Sequence, residues 1–269
     1  HLMEKYIRHL DRSIELAIKE SNKIGHGDEF ADMPRFYIDR FVKIKEFFTG
    51  FLKSNVLNGY RHFIKNGKVE VITCGATHGF LPLLSVNQKA VDVQIRVAVE
   101  SHLKHFGDKP NGIWLPECAY YDRLDEILAR HDIKFFILDS HGLIYGNPTP
   151  KYGVFAPIYT HQGVAVFGRD PESSKQVWSS KEGYPGDVDY RDFYKDIGFE
   201  ADYEYIRPYI DPDGARVFTG LKYHRVTGEG DDKRVYVPEN AMHKAKSHAE
   251  NFHFNRVKQI EYISSLMDR

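Results

Sequence analysis

Between residues 69 and 168, short apolar runs alternate with helical patterns, and this alternation constrains the fold more than any other feature. The runs at 69–74, 112–116 and 135–138 have the length and composition of buried strands. The stretch 88–106, between the first two runs, carries apolar residues at helical spacing. Strands and helices that alternate in this way are typical of βαβ units in a parallel sheet. The pattern alone does not separate a (β/α) barrel from an open doubly wound sheet.

The other predicted elements complete what we interpret as a single domain, residues 1–269. Further helices are predicted over 3–25, 35–52, 59–65, 123–130, 171–178 and 241–269, and further strands over 164–167, 217–226 and 234–237. A turn-rich link at 228–232 separates the last two strands.

Polar residues follow two of the predicted strands. Glu117 stands directly after the run 112–116, and His78 stands in a glycine-flanked loop after the run 69–74. Enzymes with parallel sheets build their active sites at the carboxyl ends of the strands. We therefore predict that Glu117 is catalytic. The alternative is that Glu117 caps the next helix, because acids are favourable at helix N-termini. For His78 the alternative is a structural histidine bonded to the backbone.

The charge balance excludes several classes of partner. The chain has 37 basic and 38 acidic residues, which gives a formal net charge of −1. Such a balance offers no electrostatic footprint for nucleic acid or for an anionic membrane, and it suits a neutral substrate. Aromatic residues make up 14% of the chain, and such rings commonly stack on sugars, although most of them pack in cores.

The cysteine and hydropathy patterns predict a cytoplasmic protein without a cofactor. Two cysteines, Cys74 and Cys118, are too few for a disulfide framework and indicate a reducing compartment. No apolar run reaches the roughly 20 residues that cross a bilayer. Neither a Cys-x-x-Cys nor a His-Glu-x-x-His pattern occurs, so we expect no metal site.

Three sequence blocks resemble signature regions of glycoside hydrolase family 57, and in particular of its 1,4-α-glucan branching enzymes. The blocks are VEVITCGATHGFLPLL at 69–84, GIWLPECAY at 112–120, and VFGRDPESSKQVWS at 166–179 with GYPGD at 183–187. The resemblance implies a distorted, TIM-like (β/α)7 barrel with inserted helices. It also implies an incomplete barrel, because the family's final strand and C-terminal helical region have no counterpart here. We therefore expect a catalytic-domain fragment of a larger parent polypeptide.

The same resemblance implies that Glu117 is the nucleophile of a retaining mechanism. Retention needs a second carboxyl group, about 5–5.5 Å away, as the acid/base. In the family this group is an aspartate on a later strand, which we expect beyond Arg269. Asp139 and Asp170 both follow predicted strands and are the alternatives within the chain, although each can instead cap a loop.

The resemblance implies substrate contacts by four residues: hydrogen bonds from His78 and Arg169 to the glucan, stacking by Trp178, and close backbone approach at Gly186. Two further predictions rest on position: His141 follows Asp139 and Ser140 after a predicted strand, and Tyr184 lies in a Gly/Pro loop, where its ring can cover the acceptor and exclude water. For Arg169 the alternative is an ion pair with Asp170 or Glu172. For Trp178 the alternative is a place in the core.

The implied function is that of a 1,4-α-glucan branching enzyme, which passes a cut α-1,4 chain to a 6-hydroxyl group. One alternative is a 4-α-glucanotransferase or an α-amylase of the same family, which shares the nucleophile. Another is a non-catalytic glucan-binding module. A metal-dependent polysaccharide deacetylase would need an Asp/His/His ligand set, and the sequence offers no convincing one.

Residues 1–269 alone are expected to show no transferase turnover, because the chain carries only one member of the predicted catalytic pair. A branching assay on amylose with the isolated chain tests this expectation. Robust turnover would refute it.

Overall fold

The computed structural model describes residues 1–228 and 233–267. Residues 229–232 of the predicted link and the last two residues of the predicted C-terminal helix lie outside this part. The helices are α1 Leu2–Lys23, α2 Asp32–Thr49, α3 Val56–Lys65, α4 Leu81–Leu84, α5 Gln88–Phe106, α6 Leu124–Arg130, α7 Ser140–Ile144, α8 Pro171–Trp178, α9 Ile197–Glu200, α10 Tyr203–Ile206 and α11 Pro238–Met267. The strands are β1 Thr73–Cys74, β2 Gly112–Trp114, β3 Phe135–Leu138, β4 Ile158–Tyr159 and β5 Ala165–Gly168.

The chain divides into two compact units, each built from two segments. We call residues 1–59 with 176–254 the helical unit, and residues 60–175 with 255–269 the sheet unit. Within 1–228 and 233–267, no helix combines the length and the hydrophobicity needed to span a membrane.

The sheet unit contains a five-stranded sheet with the order β1-β2-β3-β5-β4. β1, β2, β3 and β5 pair in parallel, and β4 runs antiparallel to β5. This arrangement confirms the predicted α/β class with a parallel sheet and is consistent with part of a (β/α)7 barrel. β4 has no counterpart among the predicted strands, because two residues are too few to show a pattern.

One apolar cluster holds the sheet in place. Val91 and Ile95 of α5 pack in it with Ile113 of β2 and Phe136 of β3, and all four are buried. Burial of side chains of this size contributes roughly 1.5–3 kcal/mol each relative to exposure. The helix therefore fixes the strands, and with them the loops at their carboxyl ends.

The helical unit has its own core, in which α1 and α2 pack against residues from 197–223. Tyr37 of α2 is fully buried and donates its hydroxyl proton to the Lys222 carbonyl at 2.6 Å. Burial raises the pKa of Tyr37, so the hydroxyl keeps its proton and remains a donor.

The predicted strands 217–226 and 234–237 are wrong, since these stretches form only isolated bridges. The reason is the fully buried carboxylate of Asp196, which accepts the backbone N–H groups of Thr219 at 3.0 Å and Gly220 at 2.9 Å. A strand would give such donors to a neighbouring strand. Gly220 also has a φ of 87°, which interrupts an extended backbone.

Candidate active site

The turn after β2 presents Glu117 to solvent. Leu115 and Pro116 are buried, and the Cys118 N–H closes a 3₁₀ turn onto the Leu115 carbonyl at 2.8 Å. The Glu117 side chain is 73% exposed. Glu117 and Cys118 have φ values of 58° and 53°, which L-residues adopt rarely and mostly where the surrounding packing enforces them.

Glu117 does not cap the next helix. That helix, α6, begins only at Leu124, and its first turn carries Asp125 and Glu126 as its acidic residues. The capping alternative for Glu117 is therefore wrong, and its carboxylate is available to other groups.

His78 lies against Glu117. Its Nε2 atom is 3.1 Å from Glu117 Oε1, and its Nδ1 atom is 3.3 Å from Cys74 Sγ. The His78 side chain is 56% exposed. Within the described residues, the second carboxylate oxygen of Glu117 has no hydrogen-bond partner. The alternative of a histidine bonded only to the backbone is wrong.

The His78 loop is held by α5. The Gln94 side chain accepts the Thr77 N–H at 3.0 Å and donates to the Thr77 hydroxyl at 2.8 Å. His78 itself has a φ of 54°, and its N–H closes a turn onto the Gly75 carbonyl. The sequence gives no signal for Gln94, because a polar residue on a helix is usually solvated.

Arg169 and Asp139 form a second pair at the same edge of the sheet. Arg169 follows β5 and donates to Asp139, the residue after β3, at 2.8 Å. The Arg169 guanidinium also lies 5.9 Å from the centre of the Trp114 ring. Arg169 does not pair with Asp170 or Glu172, so that alternative is wrong.

Cys118 is the last residue of the Glu117 turn, and its thiol lies near the Arg169–Asp139 pair. Burial raises the pKa of its thiol, and the Asp139 charge raises it further, whereas Arg169 acts in the opposite direction. Cys118 is therefore a neutral, buried side chain beside Arg169 and Asp139.

Asp170 caps α8. Its carboxylate accepts the backbone N–H groups of Glu172 at 3.2 Å and Ser173 at 3.1 Å, and it pairs with Arg256 at 2.8 Å. Burial opposes ionisation of Asp170, but the hydrogen bonds, first among them those from Ser173, lower its pKa overall. The two aspartates that follow strands, Asp139 and Asp170, therefore each form an ion pair with an arginine.

His141 occupies the first turn of α7, directly after β3, and is exposed. It therefore stands on the edge of the sheet that also carries Glu117 and His78. The remaining three predicted substrate residues, Trp178, Tyr184 and Gly186, belong to the helical unit.

Trp178 ends α8 and is 79% exposed, so the core alternative for this residue is wrong. Tyr184 stacks on His248, with ring centres 4.4 Å apart, and donates its hydroxyl proton to Asn251 at 2.7 Å. At Gly186, the Ser180 carbonyl occupies the space that a side chain would need. The close approach that requires a glycine there is made by the protein's own backbone.

A cavity of about 350 Å³ adjoins this loop in the helical unit. Its lining is mostly polar and includes Gln176, Lys181, Tyr184, Asp187 and His248. His248 also contacts the Tyr190 hydroxyl at 2.8 Å and Asp187 at 3.4 Å. The sequence gives no signal for His248, since it lies far along the chain from the loop that it holds.

No group of three or more His, Cys, Asp or Glu residues within 1–228 and 233–267 is placed to hold a metal ion.

Comparisons with known proteins identify a family. The family model described as Glycosyl hydrolase family 57 matches residues 3–269. The alpha-amylase AmyC from Thermotoga maritima is 43% identical with a TM-score of 0.93, and the match covers 100% of this chain and 52% of that chain. The GH57-type branching enzyme from Pyrococcus horikoshii is 28% identical with a TM-score of 0.81, over 98% of this chain and 47% of that chain.

A curated relative is also a branching enzyme. The 1,4-alpha-glucan branching enzyme of Thermococcus kodakarensis is 30% identical over 281 residues, which cover 94% of this chain and 38% of the relative. The chain thus spans about half or less of the length of these relatives.

The substitution Asp170→Asn tests the assignment of Asp170 to the cap of α8. Because the folded-state pKa of Asp170 is lowered, its charge stabilises the fold above the unfolded pKa of about 3.9, and this contribution is lost as the pH falls through the folded pKa. We expect the substitution to lower the free energy of unfolding by about 1.5–2 kcal/mol at neutral pH, the lower part of the range for a hydrogen bond to a charged group, because the Asp170 side chain is partly exposed.

Urea unfolding at a series of pH values measures this effect, and the difference should narrow below about pH 4. Asp202→Asn is the control, since Asp202 caps α10 without an arginine among the described residues. A difference that stays constant into the acid range would show that the charge of Asp170 is not involved.

Proposed function

Because the chain belongs to glycosyl hydrolase family 57, as its motifs predicted, we propose that it carries the nucleophile of an enzyme that cleaves α-1,4-glucans with retention. The observation that supports this most is the exposed carboxylate of Glu117, which lies 3.1 Å from His78 at the carboxyl edge of a parallel sheet. Active sites of α/β folds lie at this edge.

In the proposed mechanism, Glu117 attacks the anomeric carbon of a glucosyl unit. The carboxylate oxygen Oε2 forms an ester bond with that carbon, the glycosidic C–O bond breaks, and a proton from the second carboxyl group goes to the departing oxygen. His78 holds Oε1 and leaves Oε2 for the attack. An acceptor hydroxyl, deprotonated by the second carboxyl group, then displaces the ester.

We propose that the second carboxyl group is an aspartate of the parent polypeptide. Asp139 and Asp170 are poor proton donors, because each is already an acceptor in a pair with an arginine, at 2.8 Å in both cases. The lowered pKa of Asp170 argues further against a role as an acid.

For the acceptor, we propose a sugar 6-hydroxyl, which makes the parent protein a 1,4-α-glucan branching enzyme. The relative from Thermococcus carries that name, the one from Pyrococcus is named a GH57-type branching enzyme, and the sequence at 176–187 resembles the branching subgroup of the family. Tyr184 is proposed to exclude water from the transfer step. Within the helical unit, stacking on His248 and the bond to Asn251 hold its ring in one position. Arg169, His141 and Trp178 are proposed to contact the glucan, whereas the space beside Gly186 is filled by the Ser180 carbonyl.

The second candidate is an α-amylase, in which water is the acceptor. It is favoured by the 43% identity to AmyC, over the full length of this chain. A 4-α-glucanotransferase differs only in passing the chain to a 4-hydroxyl. Debranching of the products, followed by chain-length analysis, distinguishes the three: only branching creates α-1,6 linkages, and only hydrolysis increases reducing ends without transfer.

The substitution Glu117→Gln, made in the parent polypeptide, is expected to reduce kcat by several orders of magnitude, because an amide cannot form the glycosyl ester. Turnover of amylose and release of reducing ends measure the loss. Glu126→Gln is the matched control, since Glu126 is a surface acid that pairs with Arg123. Substantial turnover by a folded Glu117→Gln protein would remove Glu117 from the mechanism and leave a glucan-binding role.

Tyr184→Ala is expected to raise the ratio of hydrolysis to transfer in the parent polypeptide, because water then reaches the glycosyl ester. Tyr184→Phe keeps the ring on His248 and loses only the bond to Asn251, so its ratio should change less. Reducing ends and new branches, counted in the same reaction, give the ratio. An unchanged ratio in Tyr184→Ala would exclude Tyr184 from the control of transfer.

A further inference from the structure

Cys74, His78 and Glu117 form a continuous chain of contacts. Cys74 is the last residue of β1, and its Sγ atom lies 3.3 Å from His78 Nδ1. The other ring nitrogen, Nε2, lies 3.1 Å from Glu117 Oε1. Each nitrogen of the imidazole therefore has one partner, and the state of the ring depends on which partner supplies a proton.

The sulfur can act as the proton donor of its pair. Burial raises the pKa of the Cys74 thiol and outweighs the opposing hydrogen bond from the Gly75 backbone, so Cys74 retains its proton. A thiol that points at an imidazole nitrogen donates its S–H to the lone pair of that nitrogen. Nδ1 then accepts, and the single proton of the neutral ring lies on Nε2.

The His78 tautomer with its proton on Nε2 is also the one that can donate to Glu117. An Nε2–H donates to the Glu117 carboxylate, whereas a lone pair on Nε2 would face the negative oxygens. The ring itself is held in place, because Gln94 fixes the loop through Thr77.

We propose that Cys74 is a positioning residue, which fixes the tautomer of His78 so that Nε2–H faces Glu117. The effect of Cys74 on turnover rests on the proposed function, whereas its effect on the imidazole does not. Cys118 has no part in it, since the sulfur that contacts His78 Nδ1 is that of Cys74, and the Cys118 thiol is hydrogen-bonded to Arg169.

Nuclear magnetic resonance of the 269-residue chain, with ¹⁵N in the imidazole rings, tests the proposal directly. The chain has 14 histidines, and the variant His78→Gln identifies the resonances of His78. At neutral pH we expect Nδ1 without a proton and Nε2 with one. In Cys74→Ala, we expect a fraction of the His78 rings to carry a proton on Nδ1. Cys74→Ser should restore the original spectrum, because a hydroxyl is also a donor.

Cys118→Ala is the control and should leave the His78 resonances in place. Backbone amide spectra verify that each variant is folded. The proposal is overturned if Nδ1 of the unmodified chain carries the proton, or if a folded Cys74→Ala variant shows the same His78 resonances as the unmodified chain.

In the parent polypeptide, Cys74→Ala should lower kcat about fivefold with little change in KM, the effect of losing one neutral hydrogen bond. Cys74→Ser should recover most of the loss, whereas a merely structural role would predict no such recovery. If Glu117→Gln retains turnover, the proposed function fails, and the spectra still decide whether Cys74 sets the tautomer.

Discussion

The parallel pairing of β1 with β2 is the interaction on which the candidate site depends. In this pairing Thr73 lies opposite Ile113, and Cys74 lies opposite Trp114. The two loops that follow therefore leave the sheet side by side, and Gly75 packs against the Pro116 ring. A shift of one residue would turn every side chain of β1 to the other face and would separate His78 from Glu117.

The carboxylates at this edge of the sheet differ in their partners, and the partner of each affects how readily it can act as a nucleophile. Asp139 and Asp170 each face a guanidinium, which is always charged and forms a fixed fork of donors. Glu117 faces an imidazole and open solvent. A carboxylate without a permanent counter-ion remains a better nucleophile than one held by an arginine. The fold thus separates one carboxylate that faces an imidazole and solvent from two that are paired with arginines.

Much of the sheet unit follows from local patterns in the sequence, and much of the site does not. The helix 88–106 and the strand 135–138 were predicted with their observed ends, because apolar spacing and flanking residues mark both. The proximity of His78 to Glu117 follows from the rule that parallel strands end at one edge. The pairing of Arg169 with Asp139 does not, since only the sheet order brings β3 beside β5. The strands predicted at 217–226 failed for a similar reason, because a distant buried carboxylate takes their donors.

The left-handed backbone at His78, Glu117 and Cys118 has a consequence for stability. Each L-residue in this region costs roughly 1–2 kcal/mol relative to a conformation that it prefers. Glycine would relieve this cost at each position, so selection for stability alone would favour glycine there. An imidazole, a carboxylate and a thiol therefore occupy these positions at a cost in stability. Substitutions recovered in a search for greater thermal tolerance should therefore be examined first at these three positions.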